Sequence, residues 1–227
     1  MVRFVFLDLD DTIFDFHKAE RIALAKTLSE LGLAPDDAVL ARYSEINAAQ
    51  WRLLEKGALT RQEVKVRRYQ LLFEELGLAI SPTLAARRYE RNLAIGHYFV
   101  EGAEELLSAL AGNYRLFLVS NGSVDIQKSR IGSSNSAAYF EGMFISEEIG
   151  YNKPDVRFFE AVFAQIPGFV REEAVIIGDS LTSDIKGGQN CAITTVWFNP
   201  TGAAAKDVRP DHTVFRLCEL PPLLSCL

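Results

Sequence analysis

The sequence predicts an α/β protein: a Rossmann-like core on a parallel sheet, with an all-α helical cap domain inserted after the first strand. Three observations carry that expectation. Short, nearly continuous apolar runs recur along the chain, as strands buried on both faces require. Helical patterns separate most of these runs, which within one sheet implies parallel strands joined by right-handed crossovers. One stretch, residues 15–98, breaks the alternation and reads as helix after helix.

Taken in order, residues 2–7 form the first apolar run, followed by 115–119 (RLFLV), 174–177 (AVII) and 193–198 (ITTVWF). Residues 143–145 give a weaker signal, and 213–215 read as a last edge strand. Helical patterns at 102–110 and 154–166 precede RLFLV and AVII. Inside the insert, residues 17–31 stop at Gly32 and residues 36–56 at Gly57. Thr60 and Glu63 form a T-x-x-E capping box that opens a helix to Leu76, with Gly77 behind it. Ser81-Pro82 supplies an N-cap and a proline at the first helical position of a fourth helix. The expected division is a catalytic core at 1–14 and 99–227 and a cap at 15–98.

The composition narrows the partners. With 227 residues, 48% hydrophobic and 24% charged, the chain is long enough for a packed core plus a smaller insert. A net charge of -6 argues against a nucleic-acid polymer or an anionic membrane as partner, but leaves room for one small anion. Cys191, Cys218 and Cys226 are scattered without ligand spacing, which suits reduced thiols in the cytoplasm. The N-terminal run is too short for a signal peptide, and no stretch approaches the roughly 20 apolar residues of a membrane span. A monomer or homodimer acting on a small molecule is expected.

Open α/β sheets bind ligands beyond the carboxyl ends of their strands. The first run ends in Asp8-Leu9-Asp10-Asp11-Thr12, the second in Ser120-Asn121-Gly122, and AVII in Gly178-Asp179-Ser180 with Asp184 five residues after Asp179. Lys153-Pro154-Asp155 lies just ahead of a helix start. Carboxylates crowded at one edge repel one another unless they share a cation, and an all-oxygen set suits Mg²⁺. A cation beside a carboxylate, a lysine and small hydroxyl or amide donors makes a phosphate site. Each fragment also has a plain reading: Ser-Asn-Gly as a turn, Lys153 as a surface lysine, Pro154 as the start of a helix. Asp11 and Thr12 are expected to organise their loop by local hydrogen bonds, and Gly187-Gly188 to let a helix pack closely. Arg67-Arg68 and Arg87-Arg88 read as solvated helix faces.

Together, DLDDT, SNG, NKPD and GDSLTSD resemble the four ordered motifs of the haloacid dehalogenase-like hydrolase superfamily, and the helical insert resembles the α-helical cap of its first subclass. The resemblance implies that Asp8 is the nucleophile and a metal ligand. It implies that Asp10 is the acid/base, with its main-chain carbonyl on the metal. Ser120 and Asn121 match the phosphate-holding position, Lys153 the lysine that pairs with phosphate and nucleophile, Asp179 the Mg²⁺ ligand and Asp184 the acid that supports it. Dehalogenases of this fold lack Mg²⁺ and the second aspartate; the presence of Asp10, Asp179 and Asp184 points instead to a Mg²⁺-dependent phosphomonoester hydrolase working through an aspartyl-phosphate. SNGSVDIQKSRI, YFEGMFISEEIGYNKPD and TTVWFNP are similar to the pyrimidine 5′-nucleotidase branch, although GSSNSAAYFEG is more polar than that branch. Trp51, with Asn47 one turn earlier, is the candidate wall of a base pocket, against the plainer reading of packing between cap helices. Sugar-phosphate or phosphoglycolate phosphatases and phosphomutases share the four motifs, and a non-catalytic binding module or a receiver-type signalling domain is the alternative of another class.

Overall fold

β1 (Phe4–Leu7) is apolar throughout and buried on both faces. Phe4 and Phe6 enter one hydrophobic layer, Val5 and Leu7 the other, with the period of two of a pleated strand. In the computed structural model, which describes residues 1–205 and 207–227, five further strands follow. They are β2 (Arg115–Ser120), β3 (Gly142–Ile145), β4 (Ala174–Gly178), β5 (Thr194–Phe198) and β6 (His212–Val214). Their order is β3-β2-β1-β4-β5-β6, with every neighbouring pair parallel. The chain therefore builds outward from β1 on one side, then returns to β4 on the other. The crevice where the order reverses lies beyond the carboxyl ends of β1, β2 and β4.

The chain forms two compact units, Met1–Asp15 with His97–Leu227, and Phe16–Gly96. The second unit holds four helices: α1 (Phe16–Glu30), α2 (Asp37–Glu55), α3 (Arg61–Glu75) and α4 (Pro82–Leu93). Local chemistry sets their ends. Asp36 caps α2 through Val39 N–H; Thr60 and Glu63 form the reciprocal capping box of α3; Ser81 caps α4 just before Pro82. Gly57 and Gly77, after α2 and α3, take the left-handed conformation that ends a helix without a Cβ clash.

Inside this unit Tyr43, Tyr69 and Tyr89 are fully buried, and the Tyr43 hydroxyl donates to that of Tyr69 at 2.9 Å. Arg68 lies among them, its guanidinium 4.7 Å from the Tyr89 ring centroid. The expected solvated arginine is thus a buried one. Adjacent helical residues point in different directions, so Arg67 is exposed while Arg68 shares the inward stripe of Val64 and Leu72. The three rings accept its charge by cation–π attraction.

The sheet unit adds α5 (Ala103–Leu110), α6 (Val124–Ser133), α7 (Ser146–Ile149), α8 (Val156–Phe163), α9 (Lys186–Asn190) and α10 (Leu220–Cys226). The α8 face buries Phe158, Phe159, Val162 and Phe163 against one side of the sheet. That helix begins two residues after Pro154, because the Asp155 carboxylate accepts from Arg157 N–H and closes its first turn. Lys153 and Pro154 thereby stay in the loop. On the opposite face the C-terminal segment docks on the core, with Leu217, Leu220 and Leu224 buried in the same layer as α5. Gly187 and Gly188 give the close approach expected of them: a Cβ on Gly188 would stand 2.5 Å from Ile176 Cγ2, and one on Gly187 2.5 Å from Phe159. Among the described residues no helix is long and apolar enough to cross a membrane.

Candidate active site

Asp8 is fixed by one more rung of the sheet ladder, its N–H donating to the Ile177 carbonyl at 3.0 Å. The chain then folds back: Ile13 and Phe14 donate to the Leu9 carbonyl and Asp11 donates to that of Phe14, with Asp11 left-handed at φ 59. Asp11 so organises its turn locally, as expected. Thr12 does not. Its buried hydroxyl accepts from the main-chain N–H of Asp179 at 3.1 Å, tying the β1 loop to the β4 loop. A hydroxyl inside a packed loop needs a partner, and the nearest donor lies across the sheet.

Lys153 is the hub. Its ammonium donates to Asp8 Oδ1 at 2.6 Å, Asp184 Oδ1 at 2.6 Å and the Val119 carbonyl at 2.8 Å, which uses all three hydrogens. Asn121 holds the lysine's backbone from both sides, accepting from Lys153 N–H at 2.8 Å and donating to the Lys153 carbonyl at 2.9 Å. Asp184 rides on a π-turn, Leu181–Ile185, and its Oδ2 accepts from Ser180 N–H at 3.1 Å. That placement requires Gly178, where a Cβ would lie 2.3 Å from Asp184 Oδ2. The Asp179 carbonyl accepts from the Trp197 indole at 2.7 Å.

Asp8, Asp179 and Asp184 bring carboxylate oxygens within 4.8 Å of one another. Burial pushes the Asp8 carboxyl up to about 8; Lys153 opposes the rise, while Asp184 and Asp10 add to it. Burial likewise holds Asp179 well above the carboxylate range, helped by Asp8, Asp184 and Asp11. Burial works against the Lys153 ammonium, but Asp184 and Asp8 outweigh it and keep the group above its ordinary value. One buried ammonium thus faces three carboxylates, and a hard divalent cation such as Mg²⁺ fits that all-oxygen donor set.

Asp10 keeps its side chain 27% exposed, with one oxygen 2.5 Å from Arg130 and the other 2.6 Å from the Gln127 amide. That amide also donates to Ser120 Oγ at 3.0 Å. The sheet therefore brings Asp8, Asp10, Ser120, Asn121, Lys153, Asp179 and Asp184 to one edge. Sequence reasoning missed Gln127, Arg130 and Gly178. The signal available was a polar pair at i and i+3 on the same stripe as buried Ile131. In the helical unit, Asn47 is buried, donating to Glu20 Oε1 at 2.6 Å and accepting from Arg68 at 2.9 Å; Trp51 is partly buried.

The arrangement could supply a buried carboxylate for nucleophilic attack and a second carboxylate for proton transfer, and a cation held by the acidic cluster would make it a site for an anion. Comparison with known proteins places the chain among hydrolases. The chain is 39% identical over 227 residues to the pyrimidine 5′-nucleotidase PynA of Streptococcus pneumoniae (strain ATCC BAA-255 / R6), covering 99% of this chain and 94% of that one. It is 27% identical over 221 residues to the pyrimidine 5′-nucleotidase YjjG of Escherichia coli (strain K12), covering 97% and 96%. A solved structure of the HAD-hydrolase YfnB from Bacillus subtilis, bound to magnesium, superposes with a TM-score of 0.94 at 37% identity, covering 98% of each chain. Residues 2–191 match the family model of the haloacid dehalogenase-like hydrolases, and with relatives this close over nearly its whole length the chain belongs to that family.

Proposed function

We propose that this protein is a Mg²⁺-dependent phosphomonoester hydrolase that works through an aspartyl-phosphate on Asp8 and acts on nucleoside 5′-monophosphates, pyrimidine ones above all. The observation that carries the reading is the Lys153 ammonium bonded to both Asp8 and Asp184, with Asp179 alongside. In the first step an Asp8 oxygen attacks phosphorus, the bond to the ribose 5′ oxygen breaks, and Asp10 gives that oxygen a proton. In the second step Asp10 takes a proton from water, the water oxygen attacks phosphorus, and the Asp8–phosphorus bond breaks to release phosphate. Ser120 donates to a phosphoryl oxygen, Lys153 offsets phosphoryl charge, and Asn121 holds Lys153 in place. Mg²⁺, held by Asp8, Asp179 and the Asp10 carbonyl with Asp184 behind them, would neutralise charge on the transferring group.

Support for the substrate class comes from the names of the two nucleotidase relatives. Trp51 is our candidate for stacking on the base, and Asn47 for supporting that helix face through Glu20 and Arg68. The exposed, free Cys218 and Cys226 suit a reducing, cytoplasmic setting. The test is phosphate release from uridine and thymidine 5′-monophosphates, sugar phosphates and phosphoglycolate, with and without chelator. Metal-dependent release fastest on the nucleotides is expected. Release fastest on sugar phosphates would discard the nucleotide assignment and keep the chemistry.

A second expectation follows from the raised carboxylates. Asp8 holds its proton to about 8 in the folded state, against a value of 3.8 when unperturbed, so between about pH 4 and pH 8 this group binds more proton in the folded chain than in the unfolded one. The Asp8 contribution to stability in chelator therefore falls as pH rises from about 4 to about 8, by up to about 1.4 kcal/mol per pH unit. Mg²⁺ should raise the melting temperature more at pH 8 than at pH 5. An equal rise at both pH values would show that the cation does not bind this cluster.

A further inference from the structure

We infer that Gln127 is a positioning residue that sets Asp10 and Ser120 at once, giving each one hydrogen of a single amide, while Arg130 fixes the direction of that amide. The inference rests on the reading of Asp10 as the acid/base. Gln127 and Arg130 lie three residues apart on α6, and both are buried. The Gln127 amide nitrogen donates to Asp10 Oδ2 at 2.6 Å and to Ser120 Oγ at 3.0 Å. Its oxygen accepts from Arg130 at 2.9 Å, and the same Arg130 nitrogen donates to Asp10 Oδ1 at 2.5 Å. The amide can face only this way. A guanidinium has no acceptor and a carboxylate has no hydrogen to give, so reversing the amide would break both contacts.

Two consequences follow for the reaction. Both Asp10 oxygens are held by donors, so the carboxyl presents one orientation instead of sampling several rotamers. Ser120 Oγ accepts a second bond from Gly122 N–H at 3.1 Å, so both of its lone pairs are engaged and the hydroxyl hydrogen is what it has left to give to a phosphoryl oxygen. Proton delivery and phosphate holding are thereby tied to one side chain. Gly122 belongs to the same device. A Cβ there would stand 2.3 Å from the Gln127 amide nitrogen and 2.7 Å from its Cγ and Cδ, while the Gly122 backbone is not left-handed. Gly122→Ala thus needs no left-handed backbone and displaces the Gln127 side chain from Cγ outward.

The test compares kcat/KM, which reports steps up to phosphoryl transfer, on uridine 5′-monophosphate and on p-nitrophenyl phosphate with Mg²⁺. The alkoxide leaving group needs the Asp10 proton; p-nitrophenolate departs without it. Gln127→Met and Gly122→Ala are each expected to lower kcat/KM on the nucleotide about tenfold more than on the aryl ester, a part of the roughly 10²–10⁴-fold that a positioned general acid contributes, since Asp10 is misaligned and not removed. Both should also weaken inhibition by inorganic phosphate, through Ser120. A ratio left unchanged in either variant would mean that Gln127 only tethers α6, and would overturn the inference. Wild-type protein that hydrolyses neither ester would instead refute the reading of the site on which it stands.

Discussion

Asp8→Asn should lose at least about 10³-fold in phosphate release, as expected when a covalent nucleophile is removed, and should gain stability in the absence of metal. Asparagine keeps the shape of the side chain but not its charge. Lys153 retains Asp184 and the Val119 carbonyl as partners. What disappears is a carboxyl group that burial pushes up to about 8, with repulsion from Asp184 and Asp10 adding to the rise. In chelator at pH 8 the melting temperature should rise by about 2–4 °C for each kcal/mol of relieved strain. The two readouts are initial rates on a nucleoside monophosphate and thermal unfolding. A near-normal rate would mean that Asp8 is not the nucleophile; a lowered melting temperature would mean that the buried carboxylates are already balanced without a cation.

Lys153→Met should fail in both respects. The lysine side chain is 1% exposed and sits between Asp8 and Asp184, which have side-chain exposures of 9% and 1%. Removing the ammonium leaves two carboxylates facing one another and the Val119 carbonyl without its donor. Breaking a buried pair from one side costs about 3–5 kcal/mol, and the loss of charge at the phosphoryl group adds about 10²-fold or more in rate. Denaturant titration should show the cost, and its partial recovery as pH falls and Asp8, held up to about 8 even beside Lys153, takes up its proton. A variant as stable as wild type at neutral pH would show that the Lys153 contacts do not hold the site together. Asp8→Asn and Lys153→Met thus part company on stability while agreeing on activity, which separates a role in charge balance from a role in attack.

Much of this arrangement was legible in the chain itself. Apolar runs mark strands because a strand covered on both faces has no polar side to show, and the runs at 2–7, 115–119, 143–145, 174–177, 193–198 and 213–215 all fall on strands of the sheet. Helix ends were legible where the capping partner is a near neighbour, as in the Thr60–Glu63 box and at Ser81. The acids, the lysine and the Ser-Asn pair could be placed at one edge from their positions after the strands, since parallel order alone carries strand ends together. Where a side chain's partner is remote, the pattern failed. Arg68 read as solvated because its three tyrosines come from three helices; Thr12 read as local because Asp179 lies in the loop after another strand. Pro154 read as a helix start although the cap at Asp155 begins the helix later.

The sequence by itself therefore determined the α/β alternation, the helical insert, the family motifs and the identity of the charged groups at the sheet edge, because these are written in local periodicity and in residue type. Only the tertiary structure decided which donor meets which acceptor: Lys153 joining Asp8 to Asp184, Asn121 gripping the lysine's backbone, and Gln127 dividing its amide between Asp10 and Ser120. The physical reason is range. A periodic pattern reports which way a residue faces, but a buried polar group must find its partner in three dimensions, and that choice is made by packing elements far apart in the chain.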